Sequence, residues 1–284
     1  MDTLIIGGSR FVGPLLLEKL IEKGHRVTVF NRGRIKSDYR KEVEFIKGDR
    51  NQGFGIDRRF DVVIDTCAFT GPQTKKAIEG LDFDFFLHFG TAAAYQKTDN
   101  FPLTEESSLG PWPLWGQYNE GKVECERVLE ESGIKYASLR PVYILGPGDY
   151  CGREEFIYSR LRSAIPITLP GDGMANIQFV FAKDVASSFV LLAEKRLEGG
   201  FNCANDNPIT LRGLVEEMGR ISGREPIMEF DPSADGDGFD ITQFPFANEE
   251  FVCSNKKLKS HGMRFTPLKK GLEEDWEGHY CDIC

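Results

Sequence analysis

The segment that most constrains this chain is Leu4-Ile5-Ile6-Gly7-Gly8-Ser9-Arg10-Phe11-Val12-Gly13. A short apolar run breaks into glycines and then opens an amphipathic stretch, Val12–Lys23, which reads as strand, turn and helix. Glycines let a backbone approach a pyrophosphate, and a helix N-terminus offers free N–H groups and the positive end of a dipole. Glycine turns are common, but this one follows the first strand and opens the first helix, which is the context a dinucleotide site requires. Gly7, Ser9, Arg10, Phe11, Val12 and Gly13 are therefore the candidates for holding the dinucleotide.

The next 130 residues keep the same rhythm. Short apolar runs at Thr3–Ile6, Arg26–Phe30, Val43–Ile46, Asp61–Ile64, Asp84–Phe89 and Tyr136–Leu139 alternate with longer stretches, among them Gln117–Glu131 with apolar or small residues near a 3.6 period. Strands alternating with helices predict an α/β fold, a Rossmann-like doubly wound parallel sheet covered on both faces. Such sheets bind ligands beyond the carboxyl ends of their strands. After Arg140-Pro141 the texture changes, with Gly146-Pro147-Gly148, Pro170-Gly171-Asp172-Gly173 and Asn205–Pro208 punctuating shorter elements. The expected division is a dinucleotide-binding domain over 1–145, with returning segments near 175–205, and a mainly substrate-binding small C-terminal lobe over 146–284. Late helices are predicted at Lys183–Lys195 and at Thr210–Ser222, the second capped by Thr210. Asp231–Asp240 reads as a loop.

Composition narrows the partners. A formal charge of −9 argues against nucleic acid, which needs a basic surface to displace counterions. No apolar run approaches the roughly 18 residues of a membrane helix, and Leu4-Ile5-Ile6 ends too soon for a secretory signal. Five of the seven cysteines stand singly, which suits reduced, mostly buried thiols and a cytoplasmic location. Cys281 and Cys284 form a Cys-x-x-Cys with only His279 nearby, and the bland reading is a frayed tail. The four histidines lack metal-ligand spacing, so no metal is expected. His88, inside an apolar strand, reads as a satisfied core residue rather than a catalyst.

The end of the second strand should read the adenosine ribose. It runs Val29-Phe30-Asn31-Arg32-Gly33-Arg34, where a carboxylate suits NAD and a nearby arginine suits a 2′-phosphate. Asn31 and Arg32, with Arg10 in the turn, favour NADP, with NAD as the alternative. Gly48-Asp49-Arg50 puts Asp49 and Arg50 near the adenine; a plain turn aspartate explains Asp49 equally well.

Tyr118-Asn-Glu-Gly-Lys122 sets a phenol and an ammonium one helical turn apart. A tyrosine of pKa about 10 shuttles protons poorly near neutrality. An adjacent ammonium favours the phenolate and lowers that value, which makes the group usable as acid or base in alcohol–ketone chemistry. Thr91 follows the fifth strand, so its hydroxyl should face the same crevice and hydrogen-bond a substrate oxygen.

Together with Leu139-Arg140-Pro141-Val142-Tyr143-Ile144-Leu145-Gly146-Pro147-Gly148, Phe179–Ala186 and Gly200-Phe201-Asn202, these motifs resemble the extended short-chain dehydrogenase/reductase family typified by UDP-galactose 4-epimerase. The resemblance implies that Thr91 orients the reacting oxygen, Tyr118 is the acid/base, and Lys122 holds the nicotinamide ribose while tuning Tyr118. It places Pro141 and Tyr143 beside nicotinamide and substrate, and it implies an NAD(P)-dependent epimerase or dehydrogenase/reductase acting on a nucleotide-linked or other activated sugar. It further implies a homodimer through the Tyr118–Lys122 helix. Ala92-Ala93 stand where sugar 4,6-dehydratases carry an acidic pair, which counts against dehydration. Arg10 replaces the middle glycine of the usual turn, a variant resembling a branch that includes chloroplast stem-loop-binding proteins. The rival expectation is therefore a non-catalytic dinucleotide-sensing or RNA-associated protein. Trp112 and Trp115 either wall the substrate pocket or pack their loop. Asp184 is expected to cap the helix after Lys183 rather than to act in catalysis.

Overall fold

The structure is a computed structural model and describes residues 1–35 and 42–284. Strands β1 (Asp2–Ile6), β2 (Arg26–Asn31), β3 (Glu44–Lys47), β4 (Arg59–Asp65), β5 (Asp82–Phe89) and β6 (Tyr136–Pro141) join one sheet. Helices α1 (Val12–Glu22), α2 (Gly71–Gly80) and α3 (Gly116–Glu131) connect them. Beyond β6 come β7 (Tyr143–Leu145), α4 (Arg153–Ser163), β8 (Ile167–Pro170), β9 (Asn176–Ile177), β10 (Phe179–Phe181), α5 (Ala182–Lys195) and β11 (Gly199–Cys203). The chain then runs through β12 (Ile209–Thr210), α6 (Leu211–Ser222), β13 (Met228–Asp231), α7 (Lys256–Ser260) and α8 (Leu268–Asp275).

The seven-stranded sheet has the order β11-β6-β5-β4-β1-β2-β3, with every pairing parallel. From β1 the chain builds outward to β3, then returns to the other side of β1 with β4. The order reverses between β1 and β4, which is where a doubly wound sheet opens its ligand crevice. The expected Rossmann-like fold is observed.

Alternate residues of each central strand feed opposite layers. Ile5, Val29, Ile64, Phe85 and Leu87 pack with Leu16 and Leu20 of α1 and Val185 and Phe189 of α5. Leu4, Ile6, Phe30, Val63 and Phe86 pack with Ala77 of α2 and Leu129 of α3. After β10 and α5 the chain returns to the sheet, where β11 pairs with β6, and the other late strands form the two-stranded pieces β7–β10, β9–β12 and β8–β13.

Several local expectations meet different outcomes. Thr210 does cap α6, its hydroxyl accepting from the Gly213 amide at 3.0 Å. Asp184 does not cap α5, which starts without a side-chain cap. Its carboxylate instead accepts from the Thr266 amide at 2.7 Å and hydroxyl at 3.1 Å, tying α5 to the strand of chain before α8. The C-terminus is not frayed. It continues helically from α8 to Ile283, with Tyr280 and Cys284 buried and the Tyr280 ring 5.3 Å from that of Tyr158. Tyr280 donates to Gly146 O and to Glu154 Oε2, both at 3.3 Å, so the tail braces the loop that follows β7. Cys281 is exposed while Cys284 is buried, and both are free thiols. Among the described residues no helix is long and apolar enough to cross a membrane.

Candidate functional site

The glycine turn is built by close approach. Gly7 and Gly8 hold φ of 94° and 72°. The Gly8 amide donates to Thr66 Oγ1 at 3.0 Å, and the Thr66 hydroxyl donates to Ile6 O at 2.8 Å. A Cβ on Gly7 would meet Thr66 Oγ1 at 2.5 Å, and one on Gly13 would stand 2.4 Å from the Gly8 backbone. Helix α1 starts with neither a side-chain cap nor an acidic residue in its first turn, so its positive end is unopposed. This is the cradle that a pyrophosphate fits, and bulk on Gly13 destroys it. Gly13→Ala is expected to cost about 1–3 kcal/mol of stability and to abolish the melting shift that added NAD gives the parent protein; an unchanged shift in thermal denaturation would contradict this.

Other turn positions carry separate tasks. Phe11 adopts a positive φ of 50°, and its ring packs edge-on to Tyr150 at 6.4 Å, with the Arg10 guanidinium 5.9 Å over the same ring. Val12 is buried in the core, so it contributes backbone only. Asn31 braces the turn, its amide donating to Gly7 O and Ser9 Oγ at 3.0 Å each and its carbonyl accepting from the Gly33 amide at 2.8 Å. Arg32 is exposed at the end of β2. Asp49 accepts from the Asn51 amide at 2.9 Å, a turn contact. Arg50 departs from expectation. It is buried in a two-pronged pair with Asp65, both contacts 2.7 Å, and donates to Gln73 O at 2.7 Å. That guanidinium stitches β4 to the loop after β3 and to α2.

The tyrosine–lysine helix faces the same end of the sheet. Tyr118 is 41% exposed, and its ring packs 6.3 Å from Phe69, in the loop after β4. Lys122 is buried and donates to Ala68 O at 2.8 Å, in the loop after β4, and to Phe89 O at 2.7 Å, at the last residue of β5. Its Nζ stands 6.0 Å over the Tyr118 ring. Thr91 caps the short turn Ala92–Ala94, accepting from the Ala93 amide at 3.1 Å, and its side chain also faces the Tyr118 phenol. The structure therefore brings Thr91, Tyr118 and Lys122 together.

The electrostatics differ from the simple expectation. Desolvation raises the Tyr118 phenol above its ordinary value, opposed by the hydrogen bond from Thr91 and by the charge of Arg153. The Lys122 ammonium lies over the ring and serves two carbonyls, and burial outweighs the groups that favour the phenolate. Burial in turn lowers the Lys122 pKa. Tyr143, expected beside substrate, is only 8% exposed and packs among Trp115, Phe179, Phe246 and Phe251 at centroid distances of 5.0 to 6.1 Å. Pro141 is buried at the end of β6, opposite Cys203 of β11.

Trp112 packs its loop, 1% exposed, and donates through its indole to Glu249 at 3.0 Å. A cavity of about 540 Å³ lies elsewhere, lined by Gly171, Asp172, Phe230, Pro232 and Asp235, none of them a residue of this site.

The sequence pattern of the NAD dependent epimerase/dehydratase family matches residues 74–204. The chain is similar to the chloroplast stem-loop binding protein of 41 kDa b of Arabidopsis thaliana, 30% identical over 302 aligned residues that cover 96% of this chain and 78% of that protein. It belongs to the NAD-dependent epimerase/dehydratase family. The family's fold recurs in UDP-glucose 4-epimerase from Thermotoga maritima, solved with UDP-glucose, at a TM-score of 0.80 and 21% identity with both chains fully covered. It recurs again in UDP-glucuronic acid 4-epimerase from Bacillus cereus, solved with NAD, at a TM-score of 0.78 and 16% identity over 98% of each chain. The lean to NADP drawn from Asn31 and Arg32 finds no support here: the Bacillus cereus structure was solved with NAD.

Sequence reasoning missed two supports of this site. Asn119, next to Tyr118 and 1% exposed, donates to Ala93 O at 2.7 Å and Gly110 O at 2.9 Å and accepts from the Trp112 amide at 3.2 Å. It locks the Thr91 turn to the loop that leads into α3. Glu126, one turn beyond Lys122, is also buried and forms an ion pair with Arg140 of β6. The available signal was a polar residue on the apolar face of a helix.

Proposed function

We propose that this chain is an NAD-dependent oxidoreductase or epimerase acting on a carbinol or ketone carbon of a nucleotide-linked or other activated sugar. The observation that carries the reading is the meeting of Thr91, Tyr118 and Lys122 at the end of a sheet whose first turn fits a pyrophosphate. A bound nicotinamide dinucleotide supplies the hydride acceptor and donor. The chain supplies placement and proton transfer. Gly7, Ser9, Arg10, Phe11, Val12 and Gly13 would hold the pyrophosphate, while Asn31, Arg32 and Asp49 lie toward the adenosine end. Tyr118 takes the proton of the substrate hydroxyl or returns it to the carbonyl oxygen, and Thr91 holds that oxygen in line. Lys122, held by the Ala68 and Phe89 carbonyls, would anchor the nicotinamide ribose beside Tyr118. The lobe after Gly146 would enclose the sugar, consistent with neighbours solved with UDP-glucose.

The test is direct. Purified protein is expected to bind NAD at least as tightly as NADP, measured by calorimetry, and to exchange hydride with a member of a UDP-sugar panel, measured by deuterium wash-in at the carbinol carbon. Failure to bind either dinucleotide would overturn the reading. One observation favours a second reading: the relative at 30% identity is named for stem-loop binding. Dinucleotide binding without exchange across the panel, together with a gel shift of stem-loop RNA, would favour it.

A further inference from the structure

The C-terminal segment covers a group of acids that lack partners. Glu154, in the first turn of α4, is 1% exposed. Its Oε2 accepts from the Gly146 amide at 2.6 Å and from the Tyr280 hydroxyl. Its Oε1 is buried and has no hydrogen-bond partner among the described residues. Asp275, the last residue of α8, leaves Oδ2 in the same condition, and so does the hydroxyl of the fully buried Tyr158. The Trp276 and Tyr280 rings pack on Tyr158 at 4.7 and 5.3 Å. Three unsatisfied oxygens therefore lie where α4, α8 and residues 276–284 come together.

Two carboxyls facing each other in a buried place cannot both carry charge. Desolvation, and then the charge of Asp275, raise the Glu154 pKa against the hydrogen bonds from Gly146 and Tyr280; Asp149 adds to the rise. Desolvation also raises Asp275, with Lys183 opposing and Glu274 and Asp184 adding to it. Tyr158 faces Cys284 and Glu217 besides the pair, and Tyr280 faces Asp149. Lys183, the cation of this set, already pairs with Glu274, and Arg153, next to Glu154 in the chain, pairs with Asp149. A proton is the smallest group that completes such a pair. It turns one carboxyl into a donor and gives an unpartnered oxygen something to accept.

We infer that Glu154 and Asp275 share one proton, and that this proton latches residues 276–284 onto the loop after β7. The latch reaches the glycine turn. Glu154 holds the Gly146 amide, Tyr280 holds its carbonyl, and a Cβ on Gly146 would stand 3.8 Å from the Phe11 ring. When hydroxide takes the proton, two like charges remain together away from water. The segment lifts to hydrate them, and the backing of Phe11 loosens with it. The unfolded chain gives up this proton at the ordinary carboxyl values of 4.5 and 3.8, whereas the folded chain keeps it to higher pH. The latch is therefore complete below those values, declines above them, and is gone once pH has passed the raised folded value.

The parent, Glu154→Gln and Asp275→Asn are compared from about pH 5 to about pH 9. Each is followed by thermal denaturation and by alkylation of the buried Cys284 and exposed Cys281, resolved by fragmentation in a mass spectrometer. An amide at either position stands in for the protonated carboxyl. Over that range the parent's melting temperature is expected to fall about 3–10 °C further than that of either variant. Cys284 labelling in the parent should rise about tenfold relative to the variants, in which thiol ionisation is the same. Parallel melting and labelling courses in the parent and both variants would overturn the inference. If one variant fails to fold, the other carries the comparison. If both fail, the parent decides alone: its ratio of Cys284 to Cys281 labelling must climb with pH, and a constant ratio rules the latch out.

Discussion

Tyr118→Phe is expected to lower turnover by about a hundredfold to ten-thousandfold while leaving dinucleotide affinity within about twofold, the scale of a lost general acid/base. The substitution removes one oxygen and keeps the ring. The packing against Phe69 at 6.3 Å and the Lys122 ammonium 6.0 Å over the ring both survive, so the fold and the α3 register should not change. What disappears is the only group facing Thr91 that gains or loses the proton in the proposed scheme. Because desolvation raises the phenol pKa in the protein alone, the free enzyme holds it protonated at neutrality. It is then ready to donate in the carbonyl-reducing direction. In the alcohol-oxidising direction kcat/KM should climb with pH through the alkaline range, since that quantity reports free-enzyme ionisations. The climb should vanish in Tyr118→Phe. A variant that keeps more than about a tenth of parental kcat would assign the proton transfer to another group.

The parts of this arrangement that could be read from the sequence are those fixed by local chemistry. The glycine turn, the apolar β strands and α3 each follow from neighbouring residues, and even the capping of α6 by Thr210 is a contact over three positions. Helix α2 was not legible because Gly71-Pro72-Gln73-Thr74-Lys75-Lys76 shows no apolar stripe; it buries only Gly71, Thr74 and Ala77. Helix α4, whose first residue is Arg153, is similarly polar. The C-terminal segment looked like a tail because its anchor, the Tyr158 ring, lies more than a hundred positions upstream. Site residues failed for the same reason. Nothing adjacent to Arg50 announces Asp65, and Tyr143 is walled in by Phe246 and Phe251 from a distant loop. His88 was placed correctly in the core, but the expectation that it would be satisfied fails: neither ring nitrogen has a hydrogen-bond partner among the described residues. Its depressed pKa makes it a liability in acid. The unfolded chain takes up a proton near 6.5 that the folded chain refuses down to about 3, so His88 removes stability as pH falls through that window.

Beneath Lys122 the largest stability effect is expected from Glu126→Gln. Glu126 Oε1 accepts from Ser138 Oγ at 2.6 Å and Arg140 Nε at 2.9 Å, and Oε2 accepts from Arg140 Nη2 at 3.0 Å. Arg140 Nη1 also donates to the Tyr95 hydroxyl at 3.2 Å, and that hydroxyl donates to Asn202 of β11 at 2.7 Å. An amide keeps the shape but cannot accept at both ends, and it leaves the buried Arg140 guanidinium without a counter-charge. Breaking such a pair costs about 3–5 kcal/mol, or on the order of 10 °C in a chain of this size. Burial alone would raise the Glu126 pKa, but the Arg140 charge and hydrogen bonds outweigh it and hold the value below its ordinary 4.5. The pair's stabilisation is therefore complete above about pH 4.5 and is lost as pH falls through the lower folded value. Denaturant titration of the parent and of Glu126→Gln at neutral pH should show the full gap, and the gap should close in acid. Replacing both partners, as in Glu126→Leu with Arg140→Met, should recover most of the loss, because no uncompensated charge remains. A Glu126→Gln cost below about 1 kcal/mol would mean that water reaches Arg140, and the site would then rest on packing rather than on this ion pair.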